Sequence, residues 1–184
     1  VHHSLFLFSN GQVWACGRCD GHEVGLPSSH PAMQESAARE AEAKALRAVR
    51  HVEVRTQLEE EATADGAELN GDEAAFKAAE AAAQGIPLPN PYIPLPTLLS
   101  FPLSTPDQSE SLIIQIAAGT RHNFAVSARG EVFSWGVGNT SQLGLGDDEE
   151  AEVPTRVKSV AMEGYRVLQA STGGQHSVVV AIKP

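Results

Sequence analysis

The chain is poor in most of the residues that small catalytic and secreted proteins rely on. Its 184 residues hold 2 cysteines, 2 methionines, 2 tryptophans and 2 tyrosines, and aromatics make up only 5%. Basic residues are also scarce, with 13 Lys and Arg against 23 Asp and Glu and a formal charge of −10. This balance argues against a non-specific grip on nucleic-acid phosphate, though a basic protein partner or a local basic patch stays open. No run of about 18 apolar residues occurs, so no membrane-spanning helix is expected. The opening residues read as no secretory signal, and the chain starts at Val1 directly on an apolar run. It is therefore expected to be a fragment of a longer protein, of one-domain size.

The two cysteines, Cys16 and Cys19, form C-G-R-C, with His22 three residues further on. That spacing suits a redox pair or half of a zinc site. No βαβ pattern surrounds it and no second C-x-x-C follows, so two ordinary thiols are expected, with no metal and no cofactor.

Glycine is not scarce. Four glycines fall within "WGVGNTSQLGLGDDEE" (135–150), at Gly136, Gly138, Gly144 and Gly146. A phosphate-cradling loop would need a lysine after its glycines and a strand-to-helix setting, and neither is present. The stretch also recurs: "HSLFLFSNGQVWACGRCDGHEVGL" (3–26) falls on "HNFAVSARGEVFSWGVGNTSQLGL" (122–145) at a constant shift of 119 residues. A partial third copy, "QASTGGQHSVVV" (169–180), follows "QIAAGTRHNFAV" (115–126) at a shift of 54, and "LPTLL" (95–99) precedes "VPTRV" (153–157) by 58. The period is thus 54 residues, and an extra stretch of 61 separates Leu26 from Leu95. A loop pattern that recurs reads as a structural device, so direct nucleotide binding by these glycines is not expected. The acids Asp147, Asp148, Glu149 and Glu150 lack calcium-loop spacing and read as solvated.

Each repeat contains short apolar runs (113–117, 124–127 and 132–135) separated by glycine-containing turns, with a Pro-Thr segment as a fourth strand that starts at its proline. Three or four short strands per fifty-residue repeat indicate propeller blades, which bury their faces only by stacking on neighbours. The inserted stretch differs in kind. Its twelve acids against six bases leave −6 of the chain's charge there. Helices are expected over 36–51 and 72–84, with Asp72 as a cap and Gly85 as a stop, and the Glu59–Glu61 run and the following Ala-Asp-Gly as linker.

The second unit closely resembles the repeat of the regulator-of-chromosome-condensation propellers. The resemblance rests on Gly119, His122, Ala125, Gly130, Val132, Phe133, Trp135, Gly136, Asn139, Gln142, Leu143, Gly144 and Gly146, with Gly11, Gly17 and Gly173 at matching places in the other copies. The first copy departs from the pattern at Cys16, Asp20 and Glu23, which stand where the repeat has Trp, Asn and Gln. The resemblance implies an all-β fold, a partial seven-bladed β-propeller of about two and a third blades of four-stranded antiparallel sheets, with an Ala/Glu-rich, partly helical insertion. The implied divisions are 1–30 (start of a blade), 31–88 (insertion), 89–111 (end of the interrupted blade), 112–165 (a complete blade) and 166–184 (first strands of the ring-closing blade).

The order of units is similar to the C-terminal part of the family's exchange factors for the small GTPase Ran, fungal ones especially. That implies a nuclear protein with no covalent chemistry, which releases bound nucleotide by stabilising the nucleotide-free GTPase. Chromatin would be a further partner through parts outside this chain, and no membrane is involved. The positions matching the family's GTPase-facing residues are His2 or His3, Arg18 and His176. The alternative is a non-catalytic scaffold or chromatin-associated module of the same repeat family. A chain of this extent alone is not expected to catalyse exchange, because blades with open edges need neighbours.

Overall fold

A computed structural model describes residues 2–64, 72–103, 112–146 and 150–183. The chain divides into two units, residues Val1–Gln34 with Pro91–Pro184, and Glu35–Asn90. The first unit is antiparallel sheet. β1 (His3–Leu7), β2 (Val13–Arg18) and β3 (Tyr92–Leu98) form one sheet in that order. β4 (Ile113–Ala118), β5 (His122–Ser127), β6 (Val132–Gly136) and β7 (Ala151–Arg156) form a second, and β8 (Arg166–Thr172) with β9 (Ser177–Ile182) a third.

The sequence shifts reappear as strand register. His3 pairs with Gly17 as His122 pairs with Gly136, and the partners of Trp14, Ala15 and Gly17 in β3 correspond to those of Phe133, Ser134 and Gly136 in β7. Both of these edge pairings carry a bulge at the same place, between Ala15 and Gly17 and between Ser134 and Gly136. The irregularity between Ile113 and Gln115 recurs between Val167 and Gln169. The first sheet thus has counterparts of β5, β6 and β7, and the third has counterparts of β4 and β5. Pro94, Pro96 and Pro154 lie within β3 and β7, not at a strand start, because both strands are sheet edges where a missing N–H leaves no ladder bond unmade.

β5 shows why alternation is a poor guide in a stacked sheet: all six of its residues are buried. Successive side chains point to opposite faces, and here both faces are covered. Ala125, with Phe133, Trp135 and Leu143, packs against Val13, Ala15, Cys19 and Ile93 of the first sheet's side. Phe124 and Val126, with Val132, pack against Val167 and Ala170 of the third. The Gln115 amide fastens this second junction like a strand partner, donating to the Ala170 carbonyl (2.9 Å) and accepting from its N–H (2.8 Å).

The insertion is more helical than its composition suggested. α1 runs over Pro31–Ala64 and α2 over Asp72–Gln84. The Glu59–Glu61 run, expected as linker, lies inside α1, since no Gly or Pro interrupts the Ala/Glu/Arg-rich stretch and neither residue type opposes helix. Pairs such as Lys44–Glu40 (2.5 Å) and Arg39–Glu35 (3.3 Å) at i,i+4 add a few tenths of a kcal/mol each, about 0.3–0.5. Within this unit Arg47 donates to the Ile86 carbonyl at 2.6 Å, and the rings of His51 and Phe76 meet edge-on at 5.3 Å. Asp65 and Gly66 of the expected linker lie outside the described residues, as do Asp147, Asp148 and Glu149. No helix among the described residues is long and apolar enough to cross a membrane.

Gly136 and Gly146 allow two effects to be separated. Both have positive φ (+103° and +97°), but a Cβ on Gly136 would lie 2.5 Å from the Arg121 carbonyl oxygen, while one on Gly146 would meet nothing within 4 Å. Alanine at 146 should therefore cost only the backbone strain, about 1–2 kcal/mol. Alanine at 136 should cost clearly more, because backbone at Arg121 and His122 must move as well. Urea midpoints of the two variants measure the difference, and equal losses would refute a close-approach role for Gly136.

Candidate functional site

One end of the sheets carries the histidines, Arg18 and the two glutamine-position residues. There the chain leaves β2 at Arg18, enters β5 at His122 and enters β9 just after His176. The turn after β2 and the turn after β6 match closely. Gly21 N–H donates to the Glu23 carboxylate at 2.8 Å, and Thr140 N–H donates to Gln142 Oε1 at 2.8 Å. His22 and Ser141 both adopt positive φ, 58° and 55°. Glu23 therefore supports its turn as Gln142 does, despite the departure from the repeat pattern.

The next sheet locks onto each of these turns. Asn123 Nδ2 donates to the Glu23 carbonyl (2.7 Å), and its Oδ1 meets His3 Nε2 at 2.6 Å. Ser177, the counterpart of Asn123, donates through Oγ to the Gln142 carbonyl (2.9 Å) and meets His122 Nε2 at 2.9 Å. A carbonyl only accepts, so the Asn123 amide orientation and the serine hydroxyl are both fixed, and each histidine donates through Nε2. The Nδ1 atoms of His3 and His122 are buried with no hydrogen-bond partner among the described residues. Trp135 adds a fifth tie, donating Nε1–H to the same Glu23 carbonyl at 3.1 Å. Cys16 stands at the place of Trp135 and is half-buried, and Cys19 is buried.

Of the sequence candidates, His3 is 5% exposed and committed to Asn123, whereas His2 is exposed. The register settles which of the two is the repeat histidine, since His3 alone pairs with Gly17 as His122 pairs with Gly136. His176 is exposed and folds over Gly173. Arg18 is 38% exposed and holds both carboxylate oxygens of Asp20. That ion pair lowers the Asp20 carboxyl from its ordinary range and raises the Arg18 guanidinium. Asn139, Gln142, Thr120, Arg121, Gln175 and His176 line a cleft of about 700 Å³ between the second and third sheets. Sequence reading missed Arg121. It is half-exposed, and its Nε reaches the buried Glu23 carboxylate at 3.0 Å. Among the described residues no three His, Cys, Asp or Glu side chains gather as a metal site, and His22 faces Glu150 at 3.4 Å.

Burial lowers the His122 pKa from 6.5. The charges of His176 and His3 act the same way, and the backbone of His176 partly offsets them.

Residues 129–180 match the family described as regulator of chromosome condensation (RCC1) repeat, and residues 113–142 match a second family with the same description. Over 183 residues, 99% of the chain, it is 28% identical to the guanine nucleotide exchange factor SRM1 of Saccharomyces cerevisiae, covering 27% of that protein. It is 44% identical to the ultraviolet-B receptor UVR8 of Arabidopsis thaliana over 68 residues, 37% of this chain and 15% of the receptor. Among solved structures, it is similar to Prp20p of Saccharomyces cerevisiae, described with its binding properties to Gsp1p and histones. The TM-score is 0.61 at 26% identity, covering 100% of this chain and 30% of Prp20p. The chain thus spans about a quarter (27% and 24%) of the length of the two full-span curated relatives.

Two measurements check the geometry of this end. His3→Ala should lower stability by about 1–3 kcal/mol, because Asn123 loses its buried partner, and His2→Ala should leave stability unchanged. Calorimetry on the two variants would refute the assignment if their order were reversed. The folded state holds His122 neutral more strongly than the unfolded chain does, so its contribution is complete above pH 6.5 and is lost as pH falls below 6.5. Urea midpoints at about pH 7.5 and pH 5.5 should show that loss, and His122→Gln should flatten it.

Proposed function

We propose that this chain, built on regulator of chromosome condensation repeats, is part of a guanine nucleotide exchange factor for the small GTPase Ran. The observation that carries the reading is the extent of similarity. The match to an exchange factor covers 99% of the chain and so runs through the helical insertion, while the match to the ultraviolet-B receptor covers 37%. Repeat chemistry alone is shared by proteins of several functions, and an alignment through the insertion asks for more than the repeat. The 44% identity to the receptor over those 68 residues favours the second reading, a non-catalytic propeller scaffold.

In the proposed mechanism no bond is made or broken by this protein. The end carrying His2, Arg18 and His176 grips the GTPase around its nucleotide site, in the setting of a seven-bladed ring. Binding energy held only in the nucleotide-free complex shifts the GTPase toward releasing GDP. The exposed histidines and the Arg18 guanidinium supply donors to acidic or carbonyl groups of the partner. A nuclear location and histone contacts through other parts of the protein go with this reading.

Release of fluorescent GDP from Ran tests it. Full-length protein at micromolar concentration should accelerate release, and His176→Ala and Arg18→Ala should each cut kcat/KM by about fivefold or more, the scale of a central interface contact. A full-length protein that binds Ran without accelerating release would support the scaffold reading instead.

A further inference from the structure

Glu23 is the anomaly at this end of the sheets. It is 1% exposed and carries a carboxylate where the matching turn of the next sheet has the neutral amide of Gln142. A buried carboxylate is costly unless a cation meets it. Arg121 is that cation, and it comes from the loop between β4 and β5 of the adjacent sheet, with Nε 3.0 Å from Glu23 Oε1. Its Nη2 lies 3.7 Å from Asp20 Oδ2, and Asp20 in turn holds Arg18. Four charges alternate in one line that starts at the buried carboxylate: Glu23, Arg121, Asp20, Arg18. Gly21 leaves room for the line to pass, since a Cβ there would lie 2.5 Å from Arg121 Nη2. The two departures that build the line, Asp20 and Glu23, sit in the turn that Arg121 crosses.

We infer that Arg121 is a positioning residue for partner recognition: anchored on buried Glu23, it fixes Asp20 and thereby holds the Arg18 guanidinium in its partner-facing orientation. An unanchored Arg18 would sample many rotamers and lose that freedom only on binding. Preorganisation of this kind acts on association with the partner rather than on the release step that follows. The inference rests on the exchange-factor reading and adds to it a cross-sheet device tuned to one rim residue.

The test separates anchoring from mere charge compensation. Arg121→Gln alone leaves Glu23 without its counter-ion and is expected to lower the melting temperature. The double variant Glu23→Gln/Arg121→Gln restores the neutral turn chemistry that Gln142 uses, so its melting temperature should return to that of the wild type. In steady-state release of fluorescent GDP by the full-length protein, the double variant should still show KM for Ran raised by about fivefold to tenfold, with kcat unchanged. Asp20→Asn, which leaves Glu23 and Arg121 paired, should raise KM similarly with an unchanged melting temperature. If the double variant regains both stability and wild-type KM, Arg121 is only a counter-ion and the assignment fails. A wild-type KM in Asp20→Asn overturns it as well. A wild-type protein that accelerates no release at all refutes the exchange reading itself, and the positioning role falls with it.

Discussion

The structure depends on one constraint: each sheet must seat a side chain from the start of its second strand against the strand end and turn of the sheet before it. Asn123 does this for the first junction and Ser177 for the second, each bonded at once to a buried histidine Nε2 and to a turn carbonyl. The Asn123 bonds are buried and the Ser177 bonds part-buried, and leaving a buried one unmade would cost the desolvation of a polar group. The apolar contacts of Phe133, Trp135 and Ile93 on one side, and of Phe124 and Val167 on the other, fill the space between sheets.

The same constraint explains the placement of chemistry. Because the histidine, the turn glutamine or glutamate and the following loop are gathered at one strand end, any repeat that departs from the pattern presents its departure there. In the first copy, Glu23 replaced the neutral amide, and a cation from the neighbouring sheet became necessary. The surface at this end is fixed by junctions between sheets. Its geometry is therefore only as rigid as their packing.

Much of this was readable in the chain. The shifts of 119, 58 and 54 residues became the register of β1, β2, β3 and β8 against their counterparts, since turn glycines and short apolar runs fix hairpins locally. His122 was expected at the repeat position and is found there, fully buried. The shift of 119 already put His3 opposite His122, but which of His2 and His3 is buried was not readable. Helix length was underestimated for a related reason: charge runs such as Glu59–Glu61 look like linker, yet only Gly or Pro stops an alanine-rich helix outright.

Arg121 left no trace in the repeat pattern, and Glu23 appeared only as a mismatch. Their pairing joins positions 98 residues apart, across a junction that exists only when two sheets stack. By itself the sequence determined strands, turns and register, because each of these is decided by neighbours along the chain or by the pattern's own period. Tertiary structure alone decided which histidine is buried, which is exposed, and how a carboxylate inside one turn came to direct an arginine on the surface. Burial and charge pairing are properties of what lies across the interface, and no local rule specifies that.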